Sequence, residues 1–199
     1  GQAAVENTNG FGKAATNNTN DFGEVCADSW SPETNLTGTG ATPSFSNTKS
    51  IELGGIDDYV DMGNPTSLQI TGNLTLSAWI KTTDTSTYEW IIGKDNVGGG
   101  TRSYNIFRLG SIVRFQIFKS GSASAIDSTS TINDGAWHHI MGVNDGTDLK
   151  IYVNGTLEGT NVNGGGTIDN GTFDFRIGAR GGTASQRGYF TGTIDEVAV

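Results

Sequence analysis

Residues 74–81 read Leu-Thr-Leu-Ser-Ala-Trp-Ile-Lys, with an apolar side chain at every second position. The same period of two returns in Val113, Phe115 and Ile117, in Leu149, Ile151 and Val153, and in Phe173, Phe175 and Ile177. That period puts one row of side chains on each face of an extended strand. One buried face and one wetter face is the pattern of an antiparallel sheet packed on a second sheet. Strong helix formers are scarce, while 30 glycines and abundant Thr, Ser and Asn suit tight turns.

Further strands are predicted at 89–93, 103–109, 137–143 and 189–199. Turn signals separate the strands: Gly98-Gly99-Gly100, Asp134-Gly135, Asp145-Gly146, Asn154-Gly155 and Gly164-Gly165-Gly166. Asn154-Gly155, between Tyr152-Val153 and Thr156-Leu157, is the clearest two-residue hairpin. About a dozen short strands at this spacing predict a two-sheet sandwich. Residues 1–24 lack both periods, with Phe11 and Phe22 isolated among Asn, Thr and Gly. They read as an extended N-terminal arm unable to order itself, followed by one domain over 25–199. A first short strand is read at 25–30 and a polar loop at 36–46.

The net charge of −9 argues against nucleic acid or anionic membranes, and is compatible with divalent cations or neutral glycans. Cys26 is the single cysteine, which excludes an internal disulfide and a multi-cysteine metal motif. No run of 18 apolar residues exists to span a membrane.

Several ordered motifs carry a family resemblance. SIELGGIDDYVDMG (50–63) resembles an opening strand pair, and LTLSAWIKT (74–82) the core strand after it. IIGKDNVGGGTRSYNIF (91–107) resembles a strand, glycine loop and strand. NDGAWHHIMGVNDGTDLKIYVNGTLEGT (133–160) is similar to a central WHH strand and hairpin. FRIGARGG (175–182) and GYFTGTIDEVAV (188–199) resemble the last two strands. Together, over roughly residues 48–199, they resemble the laminin-G-like, concanavalin-A-like jelly rolls of the pentraxin/LamG type. The resemblance implies an all-β, two-sheet antiparallel jelly-roll sandwich. Two departures stand out. Leu53-Gly54-Gly55 replaces the Phe-Asp-Gly common in the family, which removes one acidic residue. Members usually continue past the final strand, so a chain stopping at Val199 reads as a terminal domain or an excised piece.

The resemblance also implies a structural calcium, with Asp195 of the last strand as the best ligand and Asp57 or Asp58 beside it. Calcium takes six to eight hard oxygens from carboxylates and carbonyls. The competing reading makes these acids turn caps and edge charges. His138 and His139 are neighbours on a strand and point to opposite faces, so they cannot chelate one ion together. They are read as structural.

Glycoside hydrolysis needs two carboxyls about 5–10 Å apart. The Glu-x-Asp-x-x-Glu stretch of jelly-roll glucanases is missing, as are a nucleophile elbow and a phosphate loop. No catalytic residue is assigned. Glycan binding is the functional reading of the aromatics and arginines beside the two glycine-rich segments: Trp90, Arg102, Tyr104, Arg180, Arg187 and Tyr189. Trp90 and Tyr104 also fit the core, and Trp79 and Trp137 are assigned to packing. Asn17, Asn35, Asn73, Asn154 and Asn170 begin Asn-x-Thr sequons that the composition alone would generate.

The sequence therefore reads as a non-catalytic carbohydrate-binding or adhesion module, stabilised by calcium, outside a cell or on a virion surface. The alternative is a structural subunit of a phage virion or an extracellular filament. In that case Phe11 and Phe22 of the arm would make the contacts of a homo-oligomer. The partners are glycans or neighbouring subunits, with no nucleic acid and no membrane insertion.

Overall fold

The computed structural model describes residues 49–96, 101–181 and 188–199, with two short backbone segments at 19–20 and 23–24. Phe11, Phe22, Cys26, Arg187 and the strand expected at 25–30 lie outside the described residues. Contacts divide the chain into two compact units, Gly1–Ser46 and Asn47–Val199. In the first, β1 (Thr19–Asn20) pairs antiparallel with β2 (Gly23–Glu24).

The second unit is all β. Its strands in chain order are β3 (Ile51–Gly54), β4 (Val60–Asp61), β5 (Leu74–Lys81), β6 (Tyr88–Lys94), β7 (Tyr104–Leu109) and β8 (Ile112–Lys119). Then come β9 (Ser122–Asp127), β10 (Trp137–Asn144), β11 (Leu149–Val153), β12 (Thr156–Asn161), β13 (Arg176–Ile177) and β14 (Thr191–Ala198). They form two antiparallel six-stranded sheets, ordered β12-β11-β10-β5-β14-β3 and β4-β13-β6-β7-β8-β9. This is the jelly-roll sandwich that the period-two pattern and the resemblance predict. The opening strand pair is divided between the sheets, with β3 against β14 and β4 against β13.

The core lies between the sheets. Leu76, Ile80, Phe115, Ile151, Phe175 and Ile194 are all buried there, as the alternation predicts. Gly142 explains how closely the sheets approach at one point. A Cβ on Gly142 would stand 2.4 Å from Phe115 Cγ, so only glycine leaves room for that ring.

Two elements differ from the sequence reading. The strand expected over 173–177 shrinks to β13, and Phe173 is only partly buried. Strand β9, Ser-Ala-Ser-Ala-Ile-Asp, carries no strong apolar alternation. It forms as an edge strand through its register with β8, from Arg114 opposite Asp127 to Lys119 opposite Ser122. Among the described residues no helix is long and apolar enough to cross a membrane.

Candidate ligand-binding site

Strands β6 and β7 form a hairpin that sets Lys94 opposite Tyr104. Its loop therefore starts at Asp95 and returns through Arg102. Gly181 N donates to Asp95 O at 2.8 Å, and a parallel bridge joins Asn96 to Gly181. These pairings bring Arg180 to the same place. Sequence-distant Arg102 and Arg180 thus meet at one carboxylate.

That carboxylate is buried. Trp90 Nε1 donates to Asp95 Oδ2 at 3.3 Å and Asn105 Nδ2 at 3.1 Å, while the Asn96 amide donates to Oδ1 at 2.7 Å. Arg102 Nε lies 3.4 Å from Oδ1 and Arg180 Nη1 4.0 Å from Oδ2. Burial pushes the Asp95 carboxyl above the ordinary carboxylate range, and the two guanidiniums, the Asn96 amide and the Trp90 indole oppose that rise. Asp95 was not singled out from sequence. A carboxylate one residue beyond a buried strand, at the mouth of a glycine-rich loop, is the signal that could have found it.

Trp90 reaches the cluster because the β6–β7 register shifts between Trp90 and Ile92. The shift sends both Ile91 and Ile92 into the core and leaves Trp90 stacked on Phe107, ring centroids 4.7 Å apart and planes at 9°. The Arg180 guanidinium lies 4.0 Å from the Trp90 ring centroid. Gly188 crosses the ring edge with φ +54, where a Cβ would come within 2.7 Å of Trp90 Cε3. Trp90 is consequently only 6% exposed, which leaves little ring surface for a sugar to stack on.

Arg102 faces outward. Its side chain is 37% exposed, and its guanidinium lies 5.1 Å from the Phe118 ring centroid. It lines a cavity of about 370 Å³ together with Thr101, Phe118, Gly121 and Asp169. The Asp169 carboxylate accepts the Ser120 and Gly121 amides, each at 2.8 Å, which fixes that wall. Among the described residues the cavity offers one clamped cation, one hydroxyl and one turn-capping carboxylate. Such a lining suits a ligand rich in hydroxyl or carboxylate oxygens, and an apolar ligand poorly.

The remaining sequence candidates scatter. Tyr104 is wholly buried, packs 6.3 Å from the Phe175 ring and donates its hydroxyl to Leu68 O at 2.6 Å. That corrects its reading as a ligand contact: β7 turns it into the core, where burial also pushes its phenol upward. Tyr189 belongs to a different group, 6.2 Å from the Tyr59 ring, on which the Arg176 guanidinium lies.

Trp79 and Trp137 are not core residues. They are 36% and 39% exposed on the outer face of the first sheet. His138 and His139 do point to opposite faces. His138 is buried, within hydrogen-bond reach of Asp134 and Asn154, and His139 lies 5.3 Å from the Trp79 ring.

Of the acids read as calcium ligands, Asp58 and Asp195 are held at separate places. Thr191 pairs with Gly54, whose amide donates to Asp58 Oδ2 at 2.9 Å, so Asp58 belongs to the first residue of β14. Asp195 lies four residues farther along that strand, about 13 Å away at an extended rise. Its Oδ1 accepts the Glu196 amide at 2.8 Å. Among the described residues no group of three or more His, Cys, Asp or Glu is arranged to hold a metal.

Comparisons with known proteins bear on the fold. Residues 53–199 match a laminin G family model described as the concanavalin A-like lectin/glucanases superfamily. No curated protein matches the chain in sequence. Among solved structures it is similar to the CBM40 of the Ruminococcus gnavus IT-sialidase bound to α2,3 sialyllactose. That match has 15% identity and a TM-score of 0.62, and covers 75% of this chain and 87% of that one. Domains LG4-5 of the mouse laminin alpha1 chain match at 13% identity and a TM-score of 0.58, covering 73% of this chain. The chain spans 40% of that laminin structure's length. Domain 4 of AbnA, an extracellular arabinanase of Geobacillus stearothermophilus in complex with arabinotriose, matches at 18% identity and a TM-score of 0.56. The coverage there is 76% of this chain and 70% of that one. At these identities the likeness is one of fold.

Proposed function

This chain belongs to the laminin G family of the concanavalin A-like lectin/glucanases superfamily, and from that premise we propose that it is a non-catalytic carbohydrate-binding module acting outside the cell or on a particle surface. The observation that carries the reading is the setting of Arg102. Its guanidinium is held between the Phe118 ring and the Asp95 carboxylate at the wall of the 370 Å³ cavity. A guanidinium fixed this way is already oriented for paired hydroxyls or a carboxylate, so little side-chain entropy is lost on binding. Two similar folds, the sialidase CBM40 and the arabinanase domain, are described with bound saccharides, which supports the same class of ligand.

The cavity is poorly equipped for hydrolysis. A glycosidase needs one carboxyl to give a proton and another to attack or to activate water. Asp169 accepts two backbone amides, and Asp95 is buried beneath two guanidiniums. Both are committed to holding the site together.

The test is calorimetric titration of the whole chain with α2,3-sialyllactose and with arabinotriose, one acidic and one neutral. Binding of at least one is expected, weakened about tenfold or more by Arg102→Ala and less by Arg102→Lys, which keeps the charge but loses the fork. Binding unchanged in Arg102→Ala, or no binding of either saccharide at millimolar concentration, would refute this reading of the cavity.

A further inference from the structure

We propose a second carbohydrate-binding surface on the outer face of the first sheet, built on Trp79 and Trp137 and suited to a neutral polysaccharide chain. In β5 the buried row is Leu74, Leu76, Ala78 and Ile80, so Trp79 and Lys81 face outward. In β10 the buried row is His138, Ile140, Gly142 and Asn144, so Trp137, His139 and Met141 face outward as well. The register sets His139 opposite Trp79 and Trp137 opposite Lys81. On the other side, β14 sets Asp195 opposite Trp79 and Thr193 opposite Lys81. The face therefore carries two adjoining rows, Asp195-Trp79-His139 and Thr193-Lys81-Trp137. Diagonal neighbours on a sheet lie about 7–8 Å apart, which puts both indoles within reach of one ligand, and the His139 ring stands 5.3 Å from that of Trp79.

The distribution of polar groups selects the occupant. A second protein wants a charge-depleted patch with a wide apolar centre. Here Lys81 and Asp195 stand directly beside the indoles, and a flat protein interface would have to desolvate both. A sugar ring meets the same surface differently. Its C–H face lies on an indole while the hydroxyls around its edge reach Lys81, His139 and Asp195. The net charge of −9 disfavours a polyanionic glycan and leaves neutral polysaccharides as the class. Arg102 lies at the opposite sheet, so this surface is independent of the cavity. Two such surfaces on one module would let it join two chains, or hold one at two points.

The experiment is affinity electrophoresis of the whole protein in native gels containing xylan, mannan, linear arabinan or hydroxyethyl cellulose. Retardation is expected in at least one gel. Trp79→Ala with Trp137→Ala should raise the apparent dissociation constant about tenfold or more. Trp79→Phe with Trp137→Phe should stay close to wild type, because the ring faces persist. Arg102→Ala should retain the tryptophan-dependent retardation, which separates this surface from the cavity. Iodide quenching of indole fluorescence on the unaltered protein covers the case in which the alanine variant does not fold, since bound polysaccharide should shield both indoles. Retardation unaffected by loss of both indoles, no retardation of wild type in any gel, or no shielding by a retarding polysaccharide would overturn the proposal.

Discussion

Arg108 is wholly buried, and its Nε and Nη2 both donate to Glu89 Oε2, at 2.8 and 2.6 Å. Nη2 also donates to Asp84 Oδ1 at 2.7 Å and Nη1 to Gly110 O. The other oxygen of Glu89 accepts the Thr191 amide at 3.2 Å. Glu89 is on β6 and Thr191 on β14, so this ion pair also ties one sheet to the other.

Removing one partner alone is expected to be costly. Arg108→Met or Glu89→Leu alone strands a buried charge, and each should lower the unfolding free energy by about 3–5 kcal/mol. Replacing both together, Arg108→Met with Glu89→Leu, should be much less harmful than the sum, because the one carboxylate left without its cation, Asp84, is a quarter exposed and still accepts the Ser86 amide. Urea denaturation of the four proteins measures the coupling. Additive losses would show that the pair acts as two separate surface-like contacts.

Glu158 predicts a pH dependence. Burial pulls its carboxyl upward, but hydrogen bonds from the Ser130 hydroxyl and amide and the Thr129 amide and hydroxyl outweigh it and hold the group below its ordinary value of 4.5. The Thr129 and Ser130 amides donate at 2.7 and 2.9 Å, fastening the loop after β9 to β12. A carboxyl depressed in the folded state binds protons more readily when unfolded. Its stabilisation is therefore present above the ordinary glutamate value and lost as the pH falls through the lowered one. Glu158→Ala should cost about 1–2 kcal/mol at neutral pH, and the deficit should shrink below about pH 5. A deficit that is constant down to acid pH would remove the carboxylate as its cause.

Chelation is expected to leave thermal stability unchanged. An ion held at one hundred times its dissociation constant would add about 2.7 kcal/mol, and a domain of this size moves about 2–4 °C per kcal/mol. Asp58 holds the Gly54 amide opposite Thr191, and Asp195 lies four residues farther along β14, about 13 Å at an extended rise, which is too far to share one with Asp58. A fall of several degrees in EDTA, restored by calcium chloride, would contradict this and point to ligands other than the pair read from the sequence.

The sandwich was readable because its evidence is local. Leu76, Ile80, Phe115, Ile151, Phe175 and Ile194 alternate within their own strands, and each alternation names its buried face without a partner. What depended on pairing was not readable. Bulges move Trp90 out of line in β6 and disturb β14 between Asp195 and Ala198, and period-two counting passes through both unchanged. Strand β9 is set by its neighbour β8 and shows little pattern of its own. Asp95 becomes notable only when Arg102 and Arg180 arrive from 7 and 85 positions away, a meeting no spacing rule describes. Trp79 is the opposite case. Its own alternation placed it on the wet face, and the expectation that a tryptophan must be core overrode a signal already present.

The last prediction concerns the N-terminal segment. Among the described residues the hydrophobic core, from Leu53 to Ile194, lies within the compact unit Asn47–Val199. A chain beginning at Asn47 should therefore fold alone and melt within a few degrees of the full chain. Residues 1–24, by contrast, carry too little apolar area to offset their own ordering entropy. On the structural-subunit reading a neighbouring copy supplies the missing burial, with Phe11 and Phe22 as the candidate anchors. Size-exclusion chromatography with light scattering on both chains separates the two functional readings. The binding-module reading predicts monomers in each case. An oligomer formed by the full chain and lost with residues 1–46 would instead make this a structural subunit, assembled through its N-terminal arm.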